Sequence, residues 1–379
     1  MDNYIIINTK NLIDNIKKIT EKYNNYEYYI AVIKANAYGH GLEISNYLEN
    51  TKINYLAVST LEEAIKLRSI NKNFPILCLH PIKIEDIKTC IKHNITITIT
   101  NYDFYKELIK QPINKKLKVH LKLNTGMNRL GIENINEINE IYNNLINNKN
   151  IELEGIYTHM ATLGIIDKKW DEQINNFIKL TSQIDLNKIK IRHIFSSNSL
   201  YLHKKLPFLN GVRIGQMLYN SHFSHINETG LINKLKKIKR NMIRNKLKLS
   251  PLNNNYELDL KNTLTLCSTI IEIKKVKKGE TIGYDATYKL EKDSYIATIP
   301  IGYSDGLSKN IKYISIKDKK YKIIGEINMC MVTALVDKTI KINDEVIIFG
   351  NNCIKPQDIN EPIPHLYSCL DKNIKRIYK

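Results

Sequence analysis

The sequence predicts an α/β protein in which an N-terminal (β/α)8 barrel of the TIM type is followed by a C-terminal all-β domain. Two observations lead to this prediction. Between residues 12 and 222, eight short apolar segments alternate with polar-faced helical segments, as in βα units that close into a barrel. From residue 258 to residue 379 the segments are strand-like, with short turns and little helix.

The eight barrel strands are predicted from short apolar runs that end at turn-forming residues. In chain order these runs are YYIAVIKA, YLAVST, FPILCLH, ITITITN, KVHLKLN, LEGIYTH, IRHIFSS and NGVRIG. Segments such as LEEAIKLRSI and WDEQINNFIKLTSQI separate them and have the polar face of surface helices.

Two further segments lie outside the barrel and the β-domain core. Residues 1–11 contain the run YIII, which we expect to form a strand that joins the β-domain. Residues 223–257 form a basic linker or insertion. Its densest part, residues 231–249, has apolar residues at three- and four-residue spacing and can form an amphipathic helix. We expect a solvated surface segment there, because runs of charge usually are solvated.

The chain is strongly basic, with 57 Lys and Arg against 38 Asp and Glu and a net charge of +19. Such a charge can indicate a nucleic-acid partner. Much of it, however, is lysine dispersed among asparagine and isoleucine, so we expect no nucleic-acid partner. A nucleic-acid-binding protein that uses residues 231–249 is the alternative from another functional class.

Composition also bears on location and on metals. No apolar run approaches the roughly 18 residues that span a bilayer, and the start lacks the basic and long apolar regions of a secretory signal. We therefore expect a cytoplasmic protein without a membrane partner. Six cysteines are scattered without a Cys-x-x-Cys pair or a Cys/His cluster, which argues against both disulfides and a metal site.

The segment AVIKANAYGHG, residues 31–41, is the first candidate for chemistry. Its apolar start predicts the end of a buried strand, and Asn36, Gly39 and Gly41 then break regular structure. Lys34 is thereby placed at the carboxyl end of a strand, where barrels of this class hold their active sites. A lysine there can form a Schiff base with an aldehyde if its amine is neutral.

Pyridoxal 5′-phosphate is the obvious aldehyde, and nearby residues suit its other groups. The Tyr38 hydroxyl, four residues beyond Lys34, can reach a phosphate. Arg213 and Gly215, in VRIG, fall on and just after a late strand, close to where phosphates bind in such barrels. Three serines come shortly before them, in RHIFSSNS: Ser196, Ser197 and Ser199.

Together these residues resemble an ordered series of motifs in the alanine racemase family, among the fold-type III pyridoxal phosphate enzymes. The series extends over nearly the whole chain. It comprises AVIKANAYGHG, HLKLNTGMNRLGI, EGIYTHMA, VRIG, TIGYDATY and IPIGYSDG. A relative with a barrel alone would lack the last two motifs, so the resemblance is specific at the level of the family.

The resemblance implies a role for each matching barrel residue. Lys34 binds the cofactor and acts as one catalytic base. Arg129 binds the substrate carboxylate, and His159 lies near the cofactor. Arg213 donates to the pyridine nitrogen; since a guanidinium can only donate, that nitrogen stays unprotonated, which favours racemisation over side reactions. Lys122 matches a position that family members often carry as a carbamate.

The β-domain supplies the remaining roles. Inverting a carbon centre by proton transfer needs two bases on opposite faces. The resemblance implies that Tyr284, followed by Tyr303 in the next motif, is the second base and comes from the other subunit of a homodimer with shared sites. The backbone N–H of Met329 is implied as a second donor to the substrate carboxylate.

The chain departs from the family pattern in the β-domain. In GEINMCM, Glu326 and Cys330 stand where a base and an acid are usual, so local charge pairing is altered. Near the C-terminus, His365 replaces an expected phosphate-binding tyrosine, and Tyr367 is a substitute two residues away.

The phosphate-binding serine is the third departure. Counting from His193 favours Ser197, whereas counting back from Arg213 favours Ser199. We assign Ser197.

The sequence therefore predicts a homodimeric, cytoplasmic, pyridoxal phosphate-dependent racemase of a small amino acid. The expected reaction is interconversion of L- and D-alanine, which supplies D-alanine for peptidoglycan. A racemase of the same fold with broader specificity, or one acting on serine or a basic amino acid, is the nearest alternative. An enzyme that keeps the cofactor without turnover is another, given Glu326, Cys330 and His365.

Overall fold

The structure, a computed structural model, describes residues 3–220, 231–253, 258–350 and 353–379. Its first strand, β1 (Tyr4–Ile7), belongs to the C-terminal sheet. The next eight strands pair in parallel, each with its neighbour in the chain and the last with the first, and so close a barrel. The barrel strands are β2 (Tyr28–Val32), β3 (Tyr55–Val58), β4 (Ile76–Cys78), β5 (Ile95–Ile99), β6 (Leu117–Lys122), β7 (Ile151–Tyr157), β8 (Ile191–His193) and β9 (Gly211–Ile214).

Helices precede and connect the barrel strands. Their starts follow sequence signals, as in the helix that begins after Thr60, whose hydroxyl accepts from the Glu63 N–H and caps the first turn. The helices are α1 (Thr9–Lys22), α2 (Lys34–Tyr38), α3 (Leu61–Ile70), α4 (Ile87–Lys92), α5 (Tyr102–Leu108), α6 (Ile135–Leu145), α7 (Lys169–Leu180), α8 (Ser197–Leu202), α9 (Leu231–Leu247) and α10 (Ile363–Ser368). Within the described residues, none is both long and apolar enough to cross a bilayer.

The C-terminal domain is built on a nine-stranded sheet and a two-stranded ribbon. In the large sheet, β1 lies antiparallel to β10 and parallel to β19, so the two ends of the chain meet in one sheet. Its strands are β10 (Leu264–Thr269), β11 (Glu272–Val276), β14 (Ser294–Ile299), β15 (Tyr313–Ile316), β16 (Lys319–Ile324), β17 (Val332–Val336), β18 (Glu345–Phe349) and β19 (Lys375–Tyr378), with β12 (Thr281–Ile282) and β13 (Tyr288–Lys289) in the ribbon. The predicted fold class is confirmed.

The barrel interior has an apolar part and a polar part. In the apolar part, six buried side chains from β2, β3, β4 and β8 pack into one cluster. They are Ile30, Val32, Tyr55, Ala57, Leu77 and Ile191. The polar part comes mainly from β5 to β9, and its side chains are at most 6% exposed: Thr96, Thr98, His120, Lys122, Glu154, His193 and Arg213. A buried polar part of this size requires internal hydrogen bonds.

Most described side chains of the basic segment are exposed or half-buried, as expected from its charge, but one is buried. Residues 231–247 form helix α9, and its Arg244 side chain is only 6% exposed. Arg244 Nη1 donates to the Gly164 carbonyl and, at 2.6 Å, to the Ile165 carbonyl in the loop after β7. The helix is therefore anchored to the barrel by a buried arginine, while its apolar side chains Leu235, Ile238 and Met242 are exposed.

Candidate active site

A cavity of about 380 Å³ opens among the loops at the carboxyl ends of the barrel strands. Active sites of (β/α)8 barrels lie at this end. All eight barrel residues that the sequence singles out line it: Lys34, Tyr38, Lys122, Arg129, His159, Ser197, Arg213 and Gly215. These residues come from segments far apart in the chain, so the closed barrel is what brings them together.

Lys34 begins an unusual turn at the end of β2. The four residues after it, 35–38, all have left-handed backbone angles, with φ between 52° and 54°. Such a conformation costs roughly 1–2 kcal/mol for each residue with a side chain. Contacts hold the turn in place, including a bond of 3.3 Å from the Asn36 N–H to Glu63 Oε1 on α3. Gly39 continues at φ 82°, where only glycine is unstrained.

The surroundings of Lys34 favour the neutral amine that a nucleophile or base requires. Burial is the main cause that lowers its pKa, and the nearby cations Arg129 and Arg213 lower it further, while Glu63 acts in the opposite direction. A lysine is an effective base or imine-forming group only when it can lose its proton near neutral pH.

Arg213 lies at the floor of the cavity and is 4% exposed. Its Nη1 donates to His193 Nδ1 at 2.7 Å, and its Nη2 donates to the Thr158 carbonyl at 2.8 Å and to His159 Nδ1 at 3.3 Å. Burial lowers the pKa of Arg213 to about 10, so the guanidinium stays charged at neutral pH. Within the described part of the chain, its bonds occupy both Nη groups and leave the Nε–H for a ligand.

The cavity is strongly cationic. Burial, followed by the charges of Arg213, Arg129 and Lys34, lowers the pKa of Lys122 to about 8. Burial and the same set of cations lower the pKa of His159 to about 3, so its imidazole is neutral. Because His159 Nδ1 accepts from Arg213, the proton of the neutral ring lies on Nε2. The site therefore suits an anionic ligand.

Arg129 is held on the loop that follows β6. The loop closes on itself where Leu123 pairs with Ile132, and Asn124 Oδ1 accepts from the N–H groups of Gly126 and Asn128 at 3.1 and 2.9 Å. These bonds fix a tight turn, in which the Arg129 side chain reaches the cavity while remaining partly exposed. A guanidinium in this position can grip a carboxylate through two parallel bonds.

The opposite part of the cavity is lined with hydroxyl and backbone donors. Ser197 Oγ accepts from the N–H groups of Gly215 and Met217 at 3.0 and 3.3 Å. A Cβ atom at Gly215 would lie 3.0 Å from the Tyr38 hydroxyl, so glycine leaves the space between them open. Ser197 lines the cavity, whereas Ser199 is buried and absent from its lining. This geometry favours the Ser197 assignment.

The donor set fits pyridoxal 5′-phosphate group by group. Lys34 offers an amine for the aldehyde, and Arg213 offers a free Nε–H for an unprotonated pyridine nitrogen. Tyr38, Ser197 and the backbone beside Gly215 offer the small, polar surroundings that a phosphate needs, beyond the last two strands of the barrel.

The two β-domain residues of the predicted site lie elsewhere on the chain. Tyr284 is 71% exposed and Met329 is 58% exposed, and neither lines the cavity. A Cβ atom at Gly283, next to Tyr284, would lie 3.8 Å from the Glu326 backbone nitrogen, three residues before Met329, so the two residues belong to neighbouring loops. The Met329 carbonyl also accepts from the Ser304 N–H at 3.0 Å, next to Tyr303, which is 44% exposed. We call Tyr284, Tyr303, Met329 and Met331 the exposed patch. A single chain thus keeps Lys34 and Tyr284 apart.

The residues that depart from the family pattern are also outside the cavity. Glu326 and Cys330 are exposed near the exposed patch. His365 is exposed on α10, where it contacts Glu361, and Tyr367 is fully buried against His40 and Phe349. The structure therefore does not place the substitute tyrosine Tyr367 in the phosphate region.

Sequence analysis missed several lining residues. Tyr157 is fully buried, and both the Lys122 ammonium and the Arg213 guanidinium lie over its ring, 5.5 and 5.1 Å from the centroid. Ser59 and His80 line the cavity from the loops after β3 and β4. The signal for all three was position: each falls at or just beyond the carboxyl end of a predicted barrel strand.

Comparison with known proteins agrees with this geometry. The family model for the alanine racemase N-terminal domain matches residues 7–222, and that for the alanine racemase C-terminal domain matches residues 263–377. An alanine racemase from Clostridium tetani is 35% identical over 336 residues, which cover 85% of this chain and 80% of the relative.

Solved structures share the whole fold. An alanine racemase from Clostridium difficile 630 superposes with a TM-score of 0.83 at 29% identity, covering 100% of this chain and 96% of that one. A histidine racemase from Leuconostoc mesenteroides superposes with a TM-score of 0.84 at 22% identity, covering 100% and 98%, which shows a shared fold alone.

The two family models together leave out the segment around helix α9 and a few residues at each end of the chain. The chain belongs to the alanine racemase family of pyridoxal phosphate-dependent isomerases.

Proposed function

We propose that the chain interconverts L- and D-alanine with pyridoxal 5′-phosphate as cofactor and that two chains share each active site. The observation that carries this proposal is the cavity, in which an amine, two guanidinium groups and a hydroxyl-lined pocket converge at the carboxyl ends of the barrel strands. No nucleic-acid or membrane partner is part of the proposal.

The cofactor, when bound, supplies a conjugated ring that draws electrons from a bound amino acid and makes its α-hydrogen acidic. The chain's residues do the rest. Lys34 would hold the cofactor covalently and then act as a base. Arg213 would donate its Nε–H to the ring nitrogen and, having no proton acceptor, keep that nitrogen unprotonated. Ser197 and Tyr38 would surround the phosphate.

Substrate binding would rest on Arg129. Its guanidinium suits the substrate carboxylate, and the neighbouring Lys122 bears on its orientation. We propose that Lys122 carries a carbamate at least in part, because a free ammonium beside Arg129 is unfavourable whereas an anion would pair with it. The lowered pKa of Lys122, about 8, supports this, since only the neutral amine adds to carbon dioxide.

The second base would be Tyr284 of the partner subunit. Its exposure on the chain, together with that of Met329, supports a dimer in which the exposed patch faces the partner's cavity. In that arrangement Lys34 takes the proton from the D-enantiomer on one face, Tyr284 takes it from the L-enantiomer on the other, and the Met329 N–H donates to the carboxylate. His159 links Tyr284 to Arg213 through hydrogen bonds.

The nearest alternative is a racemase of broader specificity or one that acts on serine or a basic amino acid. The histidine racemase with the same fold supports keeping it, since the fold alone does not select the substrate. Two further proposals rest on family resemblance: a cytoplasmic location and the supply of D-alanine for peptidoglycan.

One experiment tests the proposal directly. The purified chain is incubated with a panel of single enantiomers, including alanine, serine, lysine, arginine and histidine, and the D/L ratio is followed. We expect alanine to reach a 1:1 mixture fastest. In parallel, borohydride reduction and peptide mapping should place the pyridoxyl label on Lys34. A label on another lysine, or a faster reaction with another amino acid, contradicts the corresponding part of the proposal.

A further inference from the structure

Three buried ionisable side chains in the barrel interior have no part in the proposed chemistry. His193 and His120 are completely buried, and Glu154 is 1% exposed. They come from three neighbouring strands, β8, β6 and β7. Buried groups of this kind destabilise a fold unless their polar atoms are paired. These three lie next to one another, in a series that begins at Arg213.

The series runs from the cavity floor into the barrel. Arg213 Nη1 lies 2.7 Å from His193 Nδ1, and His193 Nε2 lies 2.9 Å from His120 Nδ1. His120 Nε2 lies 3.6 Å from Glu154 Oε2, an electrostatic contact somewhat longer than a hydrogen bond. Glu154 also accepts from the Tyr55 hydroxyl and from Lys118 Nζ, both at 2.7 Å. We call the chain from Arg213 to Glu154 the histidine relay.

Only one arrangement of protons satisfies the histidine relay. A guanidinium has donors but no acceptor, so His193 Nδ1 must present a lone pair to Arg213. The ring proton of His193 is then on Nε2 and is donated to His120 Nδ1. His120 in turn carries its proton on Nε2, which faces a carboxylate. Both histidines are therefore neutral, and burial accordingly lowers the pKa of each.

The charges around Arg213 show what the relay supplies. The like charges of Lys34 and Lys122 oppose that of Arg213, and its direct hydrogen-bond partners are carbonyl groups and neutral imidazoles. Glu154 is the carboxylate of the relay and supplies its negative charge. Burial alone would raise the pKa of Glu154, but His120, Lys118 and Tyr55 lower it to about 2, so it stays negative at any physiological pH.

We propose that Glu154 is a positioning residue for Arg213: acting through His120 and His193, it favours at one end of the relay the same direction of hydrogen bonds that Arg213 requires at the other. It thereby helps to hold the guanidinium where its Nε–H would donate to the ring nitrogen of the cofactor. The inference rests on the proposed role of Arg213. Its structural part, the two histidine tautomers, does not depend on the cofactor or on the reaction.

The variant Glu154→Gln replaces the carboxylate at the end of the relay, which only accepts hydrogen bonds, by an amide of similar size that also donates them. Tyr55, Lys118 and His120 all present donors to this position, and an amide adds N–H donors of its own. If the amide N–H faces His120, both rings must move their protons to Nδ1, and His193 then opposes Arg213 donor to donor. One bond of the series is lost in every arrangement.

The matched control is Glu152→Gln. Glu152 lies two residues earlier on β7 and pairs with Lys116 at 2.8 Å, without contacting either histidine. A second variant, Gly155→Ala, breaks the relay sterically and keeps Glu154, because its Cβ atom would lie 2.5–2.7 Å from the His120 ring atoms.

The first measurement is ¹H–¹⁵N correlation of the imidazole nitrogens in full-length, ¹⁵N-histidine-labelled protein, as purified and after cofactor removal. We expect His120 and His193 to be Nε2–H tautomers in the wild type and in Glu152→Gln, and at least one of them to change in Glu154→Gln. A wild-type Nδ1–H tautomer at either ring overturns the inference, even if no variant folds.

The second measurement counts racemisation turnovers per cofactor molecule lost to transamination. A less firmly held Arg213 allows the ring nitrogen to gain a proton, so Glu154→Gln and Gly155→Ala should lower this ratio by about tenfold or more, the equivalent of one pKa unit at that nitrogen. KM should change little. A wild-type ratio in both variants refutes the inference with racemase function intact; correct tautomers in a chain without racemase activity refute the proposed function alone.

Discussion

The barrel cavity and the exposed patch of the β-domain differ in almost every physical respect. The cavity is lined by basic side chains, and burial together with the neighbouring positive charges lowers the pKa values of Lys34, Lys122 and His159. The exposed patch consists of tyrosine and methionine side chains between 44% and 71% exposed. Large exposed apolar side chains grouped in one place are typical of a surface that another molecule covers.

The difference indicates a division of labour within the proposed site. The cavity contains the residues proposed to hold the cofactor, and each of its parts is supported by contacts within the chain. The exposed patch contains the proposed second base and a backbone donor, and these need a partner to reach a substrate. One chain would therefore bind the cofactor, and two chains would be needed for turnover.

The largest loss of activity is expected at Tyr284, the most exposed residue of the exposed patch. Tyr284→Phe removes a base from the exposed patch alone, so racemisation should fall about 10²–10⁴-fold while the absorbance of the bound cofactor is unchanged. In deuterated water the variant should still exchange the α-hydrogen of D-alanine faster than that of L-alanine. Tyr313→Phe, at an exposed tyrosine of β15, serves as the control and should keep full activity.

Mixing the two kinds of inactive subunit tests sharing directly. A dimer of one Lys34→Ala chain and one Tyr284→Phe chain has one site with both bases, so activity should return to a fraction of the wild-type value. If the mixture stays inactive although subunit exchange is demonstrated, the tyrosine must act within its own chain. The conclusion that the cavity and the exposed patch of different chains form one site would then be wrong.

A smaller effect is expected at Lys122, inside the cavity. Lys122→Ala should lower kcat/KM for alanine about 10- to 100-fold, the usual worth of a charge-assisted contact. With ¹³C-bicarbonate, a carbamate carbon signal should be present in the wild type and in Lys83→Ala and absent in Lys122→Ala. Because the reacting amine is neutral only above its pKa of about 8, the signal should grow as the pH rises from 7 to 9. Full activity of Lys122→Ala would argue against the carbamate.

The two serines allow a more limited test of the cavity. Ser197→Ala should weaken cofactor binding by about 1–3 kcal/mol, since it leaves two buried N–H groups and the phosphate with one partner fewer. Ser199→Ala is the matched control, and we expect it to bind the cofactor as the wild type does. Fluorescence titration of the cofactor-free protein measures both. A loss at Ser199 with none at Ser197 would reverse the assignment.

The last prediction concerns stability rather than activity, at His40, which joins the two halves of the chain. His40 is completely buried, and its Nε2 lies 2.8 Å from the Thr263 hydroxyl just before β10. Burial lowers its pKa to about 4, below the unfolded value near 6.5. Between these values the unfolded chain binds the extra proton, so stability should fall as the pH falls from 6.5 to 4, by at most about 1.4 kcal/mol per pH unit.

Replacing His40 by Gln should remove that part of the slope and leave the rest. The midpoint of thermal unfolding, measured between pH 5 and pH 7, is the readout, and His93→Gln, at the end of α4, is the control. An unchanged slope in His40→Gln would mean that the ring does not couple the halves in this way.

Much of the barrel could be predicted from the sequence because each strand is marked by a short apolar run and the turn-forming residues next to it. Each of the eight apolar runs forms a barrel strand, and the eight barrel residues assigned to the site all line the cavity, whereas Ser199 does not. Most described side chains of helix α9 are exposed or half-buried, as its charge predicts, yet Arg244 is buried against carbonyl groups of a loop about 80 residues earlier. Contacts at that sequence distance leave no local signal.

The histidine relay was missed for a related reason. His120 and Lys122 are two residues apart on β6, so both face the barrel interior. Their spacing does not show which residue of β7 or β8 lies opposite each of them. The irregular pairing of β6 with β7 after Val119 places His120 beside Gly155 and within reach of Glu154. Register between strands decides such pairs, and it is set by the closed barrel as a whole.

The left-handed turn after Lys34 is held from the far end of the chain. A Cβ atom at Gly39 would lie 2.0 Å from the Tyr367 carbonyl, the Gly39 carbonyl accepts from Arg376 Nε at 3.2 Å, and the His40 carbonyl accepts from the Tyr378 hydroxyl at 3.1 Å. Residues 367–378 of the C-terminal domain thus brace the segment that carries the proposed cofactor lysine. None of the bracing residues lines the cavity, so a change at Arg376 or Tyr378 would reach Lys34 only through the turn that it supports.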